Sequence, residues 1–586
     1  MSKIIYVCNR ARPLDDAEGH RLRQIGDALV PQNVKRNLES RVSVAGNTGY
    51  AVSLPNDLVH QKDMSVLLGF LFEEPDFQWA VAGHEYPDGN YALFRAAEDR
   101  VEVAADAAAT RTIWYYHDGE LFIASTSQRA IVMFLGSFAF DERVIPWVLS
   151  TGSLGPELSW DRRLQRLQAN ASLCLDKRTW QLSVKQRPIV FSESRRRPSE
   201  HAQLLSNAMR GSIRCLRSLD FDRWILPLSG GYDSRAILCF LKEEVEISDE
   251  FTTVTWGLAE SSDTLGNDAD IAKSLAGVLG VTHRYYTTDI APEPIETVVD
   301  RFLSCGEGRV DAIAAYTDGM EMWRHFQDQG VIGIIRGDVG FSTKQFRSEL
   351  HGRVGLGCGQ CSDFKNLEGI IEKFGFPPQT LPPWLRKTNF ESFAAWRDRL
   401  YHTYRLPTIL AAASDIKLSY VEQINPLLSN AILDVVRSLP DKLRNDKKVF
   451  RQIVVDNCPS IPFSKRDATA SPADILRGVA FADFLQAEIG GDAAVDLLGS
   501  KFTQQVRMGV KAGRREKQTY GQYARNMASR AFPPAIKIRL RDKFPKPEID
   551  RNVLAFRVSI ISKMRKLLTE DSRRVANGNT SPRCVV

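Results

Sequence analysis

The residues from Leu226 to Arg235 read Leu-Pro-Leu-Ser-Gly-Gly-Tyr-Asp-Ser-Arg, and they sit between a short apolar run and an apolar helical pattern. Two adjacent glycines permit a tight turn whose backbone N–H groups point inward. The start of a helix adds further unpaired N–H donors and the positive end of the helix dipole. The stretch therefore predicts a strand, a turn that binds an anion, and a helix.

The side chains of this turn refine the prediction. The candidate phosphate-binding residues are Leu228, Ser229, Gly230, Gly231 and Ser234. Asp233 would repel a phosphate unless Mg²⁺ lies between them, so the turn also predicts a magnesium ligand. The turn contains no lysine, which distinguishes it from the P-loop with its Gly-Lys-Ser/Thr ending.

Strand and helix patterns alternate on both sides of the turn. Further strands are predicted near Phe251, His283 and Val331, and a helix over Asn267–Leu279. This alternation is typical of a doubly wound parallel sheet. From about residue 380 the pattern is mostly helical. We therefore predict an α/β domain over residues 200–490.

The first 190 residues show a different pattern. Short apolar or alternating runs begin near Tyr91, Val101, Ile113 and Leu121, and pairs such as Asp118-Gly119 separate them. Such runs and turn pairs are typical of antiparallel hairpins. The polar residues 191–200 are the predicted linker.

Composition limits the class of protein. The chain has 586 residues, of which 43% are hydrophobic and 25% charged, which indicates a soluble globular protein of several domains. Its apolar runs are too short to cross a bilayer, no signal peptide is evident, and its 9 cysteines suit a reducing compartment, so we expect a cytoplasmic protein.

Positive charge is concentrated at the C-terminus. Residues 501–586 contain 21 Lys and Arg but 6 Asp and Glu, although the whole chain carries only +6. A basic segment of this kind either meets an anionic partner or forms a solvated helical face with a polar tail. It lacks the regular aromatic spacing of a nucleic-acid stacking platform, so we expect no nucleic-acid partner. We predict a helical segment over 491–586 that ends in disorder after Asn577.

The turn resembles the pyrophosphate loop of the N-type ATP pyrophosphatases, and in particular of the asparagine synthetases, β-lactam synthetases and lasso-peptide cyclases. The resemblance continues in the same order along the chain. The matching segments are 267–283, Gly333–Phe341, Val421–Leu428, Ser438–Pro440 and Lys447–Arg451. The resemblance implies an ATP-dependent enzyme that uses Mg²⁺.

The N-terminal hairpins resemble the glutamine-hydrolysing Ntn domain of the same family, which implies an αββα sandwich over residues 1–190. That domain needs an N-terminal cysteine as nucleophile, with its own α-amine as base. Here position 2 is Ser2, and Cys8 lies inside a predicted strand. We expect a degenerate Ntn domain without glutaminase activity; a processed serine nucleophile is the alternative.

The resemblance also implies roles for residues outside the turn. Trp256 and Gly257 should lie near the adenine, although Trp256 as a core residue is an equal alternative. Gly337 and Asp338 fall in the family's acidic glycine motif. Asp338 is the second acidic candidate, both as metal ligand and as catalytic residue, and it aligns either with the family's metal-holding aspartate or with the glutamate one turn earlier. Glu422 is expected either to orient or deprotonate the attacking amine or to form a buried ion pair.

Two departures from the family pattern concern the catalytic step. The family uses a lysine to stabilise the transition state of adenylation, and a strict alignment places Asp467 there. Lys465, or Arg466 as its rival, would supply the charge after a small shift. Ser429 replaces an aspartate of the family, so the acceptor pocket is expected to differ.

We therefore predict an ATP-dependent carbon–nitrogen ligase that adenylates a carboxylate, releases pyrophosphate and transfers the acyl group to ammonia or an amine. A homodimer is compatible with the resemblance. The alternatives are a lasso-peptide-type macrolactam cyclase, an ATP-binding pseudoenzyme and a tRNA-thiolating ATP pyrophosphatase. The last would use Cys358 and Cys361, whose lone C-x-x-C spacing argues against zinc.

Overall fold

A computed structural model describes residues 2–35, 39–73, 77–342, 345–346, 348–513 and 546–574. The predicted disorder after Asn577 and much of the basic C-terminal segment fall outside these residues. No helix within the described ranges is both long and apolar enough to span a membrane.

The described β-strands lie in both halves of the chain. They are β1 (Lys3–Asn9), β2 (Arg41–Ala45), β3 (Thr48–Ser53), β4 (Val59–Lys62), β5 (Ser65–Leu71), β6 (Gly89–Ala96), β7 (Arg100–Ala105), β8 (Trp114–His117), β9 (Leu121–Ser125), β10 (Gln165–Arg166), β11 (Ala171–Asp176), β12 (Leu182–Gln186), β13 (Trp224–Pro227), β14 (Thr252–Gly257), β15 (Thr282–Thr287), β16 (Gly333–Ile335) and β17 (Glu422–Ile424).

The α-helices lie mostly in the second half. They are α1 (Asp16–Ala28), α2 (Gln128–Leu135), α3 (Val144–Thr151), α4 (Pro198–Arg214), α5 (Tyr232–Glu244), α6 (Asp268–Val278), α7 (Ile295–Gly306), α8 (Glu321–Asp328), α9 (Glu349–Leu356), α10 (Ile370–Phe374), α11 (Phe393–Leu400), α12 (Ala411–Lys417), α13 (Asn430–Ser438), α14 (Asp441–Arg444), α15 (Lys448–Asn457), α16 (Pro472–Ile475), α17 (Val479–Gly490), α18 (Asp492–Leu498), α19 (Ser500–Arg507) and α20 (Arg551–Arg574).

The N-terminal strands form two antiparallel sheets that pack face to face. Their orders are β10-β8-β9-β1-β3-β2 and β12-β11-β7-β6-β5-β4. Side chains alternate along β1: Tyr6 packs with Phe94 of the facing sheet, whereas Ile5 and Val7 face the helices. The consecutive strands β6–β7 and β8–β9 pair as the antiparallel hairpins that the sequence predicts.

The outer layers differ from the expected αββα sandwich. Helices α1 and α2 cover the outer face of the sheet that contains β1. Within the described residues, a short 3₁₀ turn at Phe77–Ala80 covers the outer face of the other sheet instead. The apolar side chains of that face pack around Trp79 of this turn. The N-terminal part is therefore two facing sheets with one helical layer.

The second half contains a parallel sheet with the order β15-β14-β13-β16-β17. Every neighbouring pair in it is parallel. The order places β13 in the centre, so the turn after β13 opens at the carboxyl end of the sheet, where ligands bind in open α/β folds. The edge strand β17 was not predicted, because it has only three residues and little apolar pattern.

A π-helix over Tyr401–Leu410 continues α11 into α12. Pro407 lies within it and cannot donate the backbone hydrogen bond that an α-helix requires. The wider turn accommodates this loss, and such segments occur often at functional sites.

The helix α20 joins the two halves. It packs against α2 and α3 of the N-terminal part and against α7 and α17 of the second part. Its Asp571 forms a buried ion pair with Arg129 of α2, with an Nε–Oδ2 distance of 2.7 Å. The C-terminal segment is helical at α20, and this helix is part of the core.

Candidate active site

The predicted turn lies between β13 and α5, and its first residue continues the sheet. The Leu228 N–H donates to the Val254 carbonyl at 2.8 Å, and Thr255 Oγ1 donates to the Leu228 carbonyl. Gly231 is the residue before the first turn of α5, and no side chain caps the helix there. Leu228 therefore positions the turn through its backbone, while its side chain is buried.

Hydrogen bonds within the turn fix its shape. The Ser229 N–H donates to Ser234 Oγ at 3.0 Å, the Gly231 N–H donates to Ser229 Oγ at 3.2 Å, and the Gly230 N–H donates to Asp268 Oδ1 at 3.1 Å. These three amides are therefore engaged already by side chains of the chain itself.

The first turn of α5 offers the remaining donors. The N–H groups of Tyr232, Asp233 and Ser234 have no hydrogen-bond partner among the described residues. Unpaired amides at the start of a helix of this length attract an anion. The anion site that the sequence predicts thus has available donors, in the three residues that follow the two glycines directly.

Two carboxylates meet beside these donors, each with its own cation. Asp233 accepts from Lys447 Nζ at 2.7 and 2.9 Å, and Asp338 pairs with Arg336 Nε at 2.9 Å. Burial raises the pKa of Asp233, Lys447 opposes that rise, and the nearby Asp338 carboxylate adds to it. The two carboxylates therefore repel each other, which a shared divalent cation would relieve.

Gly337 permits the close approach of these two elements. A Cβ at this position would lie 3.1 Å from the Ser234 nitrogen and 3.2 Å from Asp233 Cβ. Any side chain at 337 would press on the start of α5. This contact gives a steric reason for the glycine that the sequence placed in the site.

Lys447 was missed as a functional residue by the sequence analysis. It has a left-handed backbone, with φ of 53°, immediately before α15, and its side chain is largely buried. A lysine in this conformation costs about 1–2 kcal/mol, so the fold holds it there. The pair Lys447-Lys448 in a segment that matches the family was the available signal.

The segment from Ile461 to Ala468 crosses over the turn. Arg235 donates to the Ile461 and Pro462 carbonyls at 2.7 and 2.8 Å, and Phe463 stacks on Tyr232 with centroids 3.9 Å apart. The Ser464 N–H donates to the Gly230 carbonyl at 3.1 Å. The segment therefore forms a cover whose backbone is fixed against the loop.

The predicted catalytic cation, Lys465, lies on this cover and forms no ion pair with Asp233 or Asp338. Lys465 and its alternatives Arg466 and Asp467 are all exposed. The backbone of Lys465 donates to Gly266, but its side chain has no hydrogen bond or ion pair among the described residues. The structure thus brings Lys447, and not Lys465, to Asp233; the catalytic role of Lys465 stays a prediction.

Trp256 and Gly257 end β14 near the same edge of the sheet. The Trp256 ring packs edge-on against Trp323 with centroids 5.4 Å apart, as expected for the core alternative. A Cβ on Gly257 would lie 2.4 Å from the Ala468 carbonyl oxygen. The cover therefore leaves no room for a side chain at position 257. That Trp256 and Gly257 lie near the adenine stays a prediction.

Glu422 lies at the opposite end of the sheet. It pairs with Gly333, at the amino-terminal start of β16, whereas the turn follows the carboxyl end of β13. Its carboxylate pairs with Arg111 and accepts from Ser2 N and Oγ at 3.1 and 2.9 Å and from Asn56 Nδ2 at 2.7 Å.

These contacts show that Glu422 forms a buried ion pair, which was the alternative to a catalytic role in the sequence analysis. Although burial acts in the other direction, Arg111 and the hydrogen bonds lower the pKa of Glu422 to about 2. The catalytic role remains a prediction without support from its position.

The cysteines are buried thiols. Cys8 is inside β1, and burial raises its pKa. Cys358 and Cys361 are also buried, and burial raises the pKa of each to about 12. Protonated thiols are poor nucleophiles and poor metal ligands.

Ser429, which replaces the family aspartate, is buried directly before α13. The N–H of the next residue, Asn430, donates to Asp88 of the N-terminal part at 2.9 Å.

The metal-binding capacity of the site is limited to two carboxylates. Among the described residues, no group of three or more His, Cys, Asp or Glu side chains converges as a metal site. Asp233 and Asp338 would hold Mg²⁺ only together with oxygen ligands from a bound phosphate, which is the usual arrangement for this ion.

Comparisons with known proteins give little further information. No family model and no curated protein matches the sequence. One solved structure that the chain resembles is the allosteric regulatory enzyme of purine biosynthesis, with 9% identity and a TM-score of 0.22 over 50% of this chain and 81% of that one. Another is the glutamine phosphoribosylpyrophosphate amidotransferase from B. subtilis, with 7% identity and a TM-score of 0.20 over 49% and 82%. At these scores the likeness carries no argument about this chain.

Proposed function

We propose that the chain is an ATP-dependent amide-bond-forming synthetase that adenylates a carboxylate and releases pyrophosphate. The acyl group then passes to ammonia or to an amine. The proposal rests on one observation: the free amides of α5, the carboxylates of Asp233 and Asp338, and the ammonium of Lys447 meet at the carboxyl end of a parallel sheet.

Each of these groups has a role in adenylation. The α5 amides and Lys447 would bind the phosphates that become pyrophosphate, where negative charge accumulates as the leaving group departs. Asp233 and Asp338 would hold Mg²⁺, which neutralises phosphate charge when bound. The 461–468 cover would exclude water from the acyl-adenylate, which water would otherwise hydrolyse.

The nitrogen source follows from the N-terminal part. Ser2 is buried and donates both its N–H and its hydroxyl to Glu422. A serine held in this way supports no glutamine attack, so the acceptor is ammonia or a substrate amine. The high thiol pKa of Cys358 and Cys361 argues against the tRNA-thiolating alternative.

The test is pyrophosphate release from ATP with a panel of carboxylates: the standard amino acids, glucuronate and galacturonate. We expect release with at least one carboxylate, and we expect Asp233→Ala to abolish it while thermal unfolding stays normal. Asp222→Ala is the matched control, because Asp222 is exposed and lies before the same strand. Equal release by Asp233→Ala and the wild type would rule out the assigned phosphate site.

A further inference from the structure

The ammonium of Lys447 contacts both carboxylate oxygens of Asp233. The two distances are 2.7 and 2.9 Å, and Lys447 Nζ has no other hydrogen-bond acceptor among the described residues. Only 11% of the Lys447 side chain is exposed, whereas 31% of the Asp233 side chain is. Lys447 therefore lies on the oxygens with which Asp233 would hold a metal ion, while part of Asp233 stays accessible to a ligand.

The backbone that carries Lys447 is strained. Asp446 and Lys447 both have left-handed backbones, with φ of 57° and 53°. No other two adjacent non-glycine residues of the described ranges share this conformation. Such residues cost free energy, and they are concentrated at functional sites. The fold thus maintains a strained bend at the residue whose ammonium contacts Asp233.

Side-chain contacts hold this bend against α5. Asp446 pairs with Arg451 of α15, with an Oδ2–Nη1 distance of 2.7 Å. The Arg451 guanidinium in turn lies 4.9 Å from the centre of the Tyr232 ring. Asp446 precedes Lys447 and Tyr232 precedes Asp233, so Arg451 joins the residue before each partner of the ion pair. These contacts position Lys447 on Asp233.

The charges of the site balance without a metal ion. Asp233 and Asp338 carry two negative charges, and Lys447 and Arg336 carry two positive ones. A divalent cation alone would add positive charge that nothing compensates, which is unfavourable in a partly buried site. The triphosphate of a nucleotide supplies the compensating negative charge. The metal ion and the nucleotide should therefore favour each other's binding.

We propose that Lys447 occupies the metal-binding oxygens of Asp233 until a nucleotide binds, so that the chain takes up its divalent cation together with ATP and not before it. When phosphate binds at the free amides of α5, the Lys447 ammonium gains a second anionic partner and releases the Asp233 oxygens. Lys447 is thus first the counter-cation of Asp233 and then a ligand of the phosphates. This inference rests on the proposed function.

The test measures divalent-cation binding without any nucleotide, with Mn²⁺ as the probe. Mn²⁺ prefers the same oxygen ligands as Mg²⁺, and the electron paramagnetic resonance signal of the free ion disappears when the ion binds. We expect weak binding by the wild type. Lys447→Met should bind Mn²⁺ about tenfold or more tightly, because the competing positive charge is gone. Lys448→Met, which changes an exposed neighbour, is the control and should bind as the wild type does.

Two further variants make the result specific. Asp233→Asn in the Lys447→Met background should remove the gain in Mn²⁺ affinity, because it removes the carboxylate that the lysine leaves. Lys447→Gln keeps a hydrogen-bond donor toward Asp233 without the charge, and it should show the same gain as Lys447→Met. It replaces Lys447→Met in the comparison if thermal unfolding shows that the methionine variant does not fold.

The outcomes distinguish this inference from the proposed function. Equal Mn²⁺ affinity of the wild type and the folded Lys447 variants would overturn the inference, and so would a gain that persists in the variant without the Asp233 carboxylate. A gain that depends on Asp233 supports it. If that gain is found but the wild type does not bind Mg·ATP, Lys447 still excludes the metal ion, and it is the proposed function that fails.

Discussion

At the scale of single residues, the site combines positions that local pattern predicts with one that only the fold supplies. Ser229, Gly230, Gly231, Asp233 and Ser234 lie within six consecutive residues, so their residue types were sufficient to predict the turn between β13 and α5. Lys447 lies immediately before α15 and 214 residues after Asp233 in the sequence. Its ion pair depends on how α15 packs on α5, which no local pattern contains.

Lys447 is the residue whose replacement tests this reading of the charges. Lys447→Met should lower pyrophosphate release by roughly 10²–10³, because removal of one preorganised charge donor costs about 3–4 kcal/mol in the transition state. Steady-state kinetics measured beside Lys448→Met and Lys465→Ala would rank the three lysines. A normal Lys447→Met with an inactive Lys465→Ala would return the catalytic charge to the residue that the sequence suggested.

At the scale of elements, long regular segments were predictable and short edges were not. The strand at Trp224, the helix α6 and the hairpins around Asp118-Gly119 all carry strong local signals, and the structure has them within a few residues. The edge strand β17 has three residues, and its place in the sheet comes from pairing with β16. The cover over the turn is irregular chain without any periodic pattern.

The contact between the cover and the turn leads to a prediction at this scale. A Cβ on Gly230 would lie 2.4 Å from Ser464 Cβ, so Gly230→Ala should displace the cover and lower both thermal stability and ATP turnover. Gly277→Ala is the control, since nothing lies within 4 Å of its Cβ, and alanine should stabilise α6 by about 0.5–1 kcal/mol. Unchanged turnover in Gly230→Ala would show that the cover does not act on the turn.

At the scale of the whole molecule, the two halves are connected by buried charges. Glu422 of β17 pairs with Arg111 of the N-terminal part, and Arg129 of that part pairs with Asp571 of α20. The sequence left a buried ion pair open for Glu422 but named no partner for it or for Arg129, because charge pairing across domains has no signature in spacing. The same pairing holds Glu422 at the end of the parallel sheet opposite the turn between β13 and α5.

The Glu422 pair predicts a specific pH dependence of stability. The pKa of this carboxyl is about 2 in the folded chain against an ordinary value of 4.5, so its stabilising contribution is complete above pH 4.5 and is lost as the pH falls toward 2. Glu422→Gln should therefore flatten this part of the profile. At neutral pH it should cost about 3–5 kcal/mol, because Arg111 is left buried without its partner.

Chemical unfolding of both forms across this pH range makes the comparison. Asp57→Asn serves as the control, since Asp57 forms an exposed pair with Arg223 and should change stability little. If the wild type and Glu422→Gln keep the same acid profile, the ion pair contributes nothing to the union of the two halves.

The central claim is that the turn between β13 and α5 binds the phosphates of ATP with Mg²⁺, and calorimetric titration of the protein with Mg·ATP tests it most directly. The measurement needs no knowledge of the carboxylate substrate. The account predicts binding by the wild type and by Asp222→Ala, a loss of binding in Asp233→Ala, and weaker binding by the wild type when Mg²⁺ is chelated. Equal affinity of Asp233→Ala and the wild type for Mg·ATP, or no binding by the wild type, would contradict it.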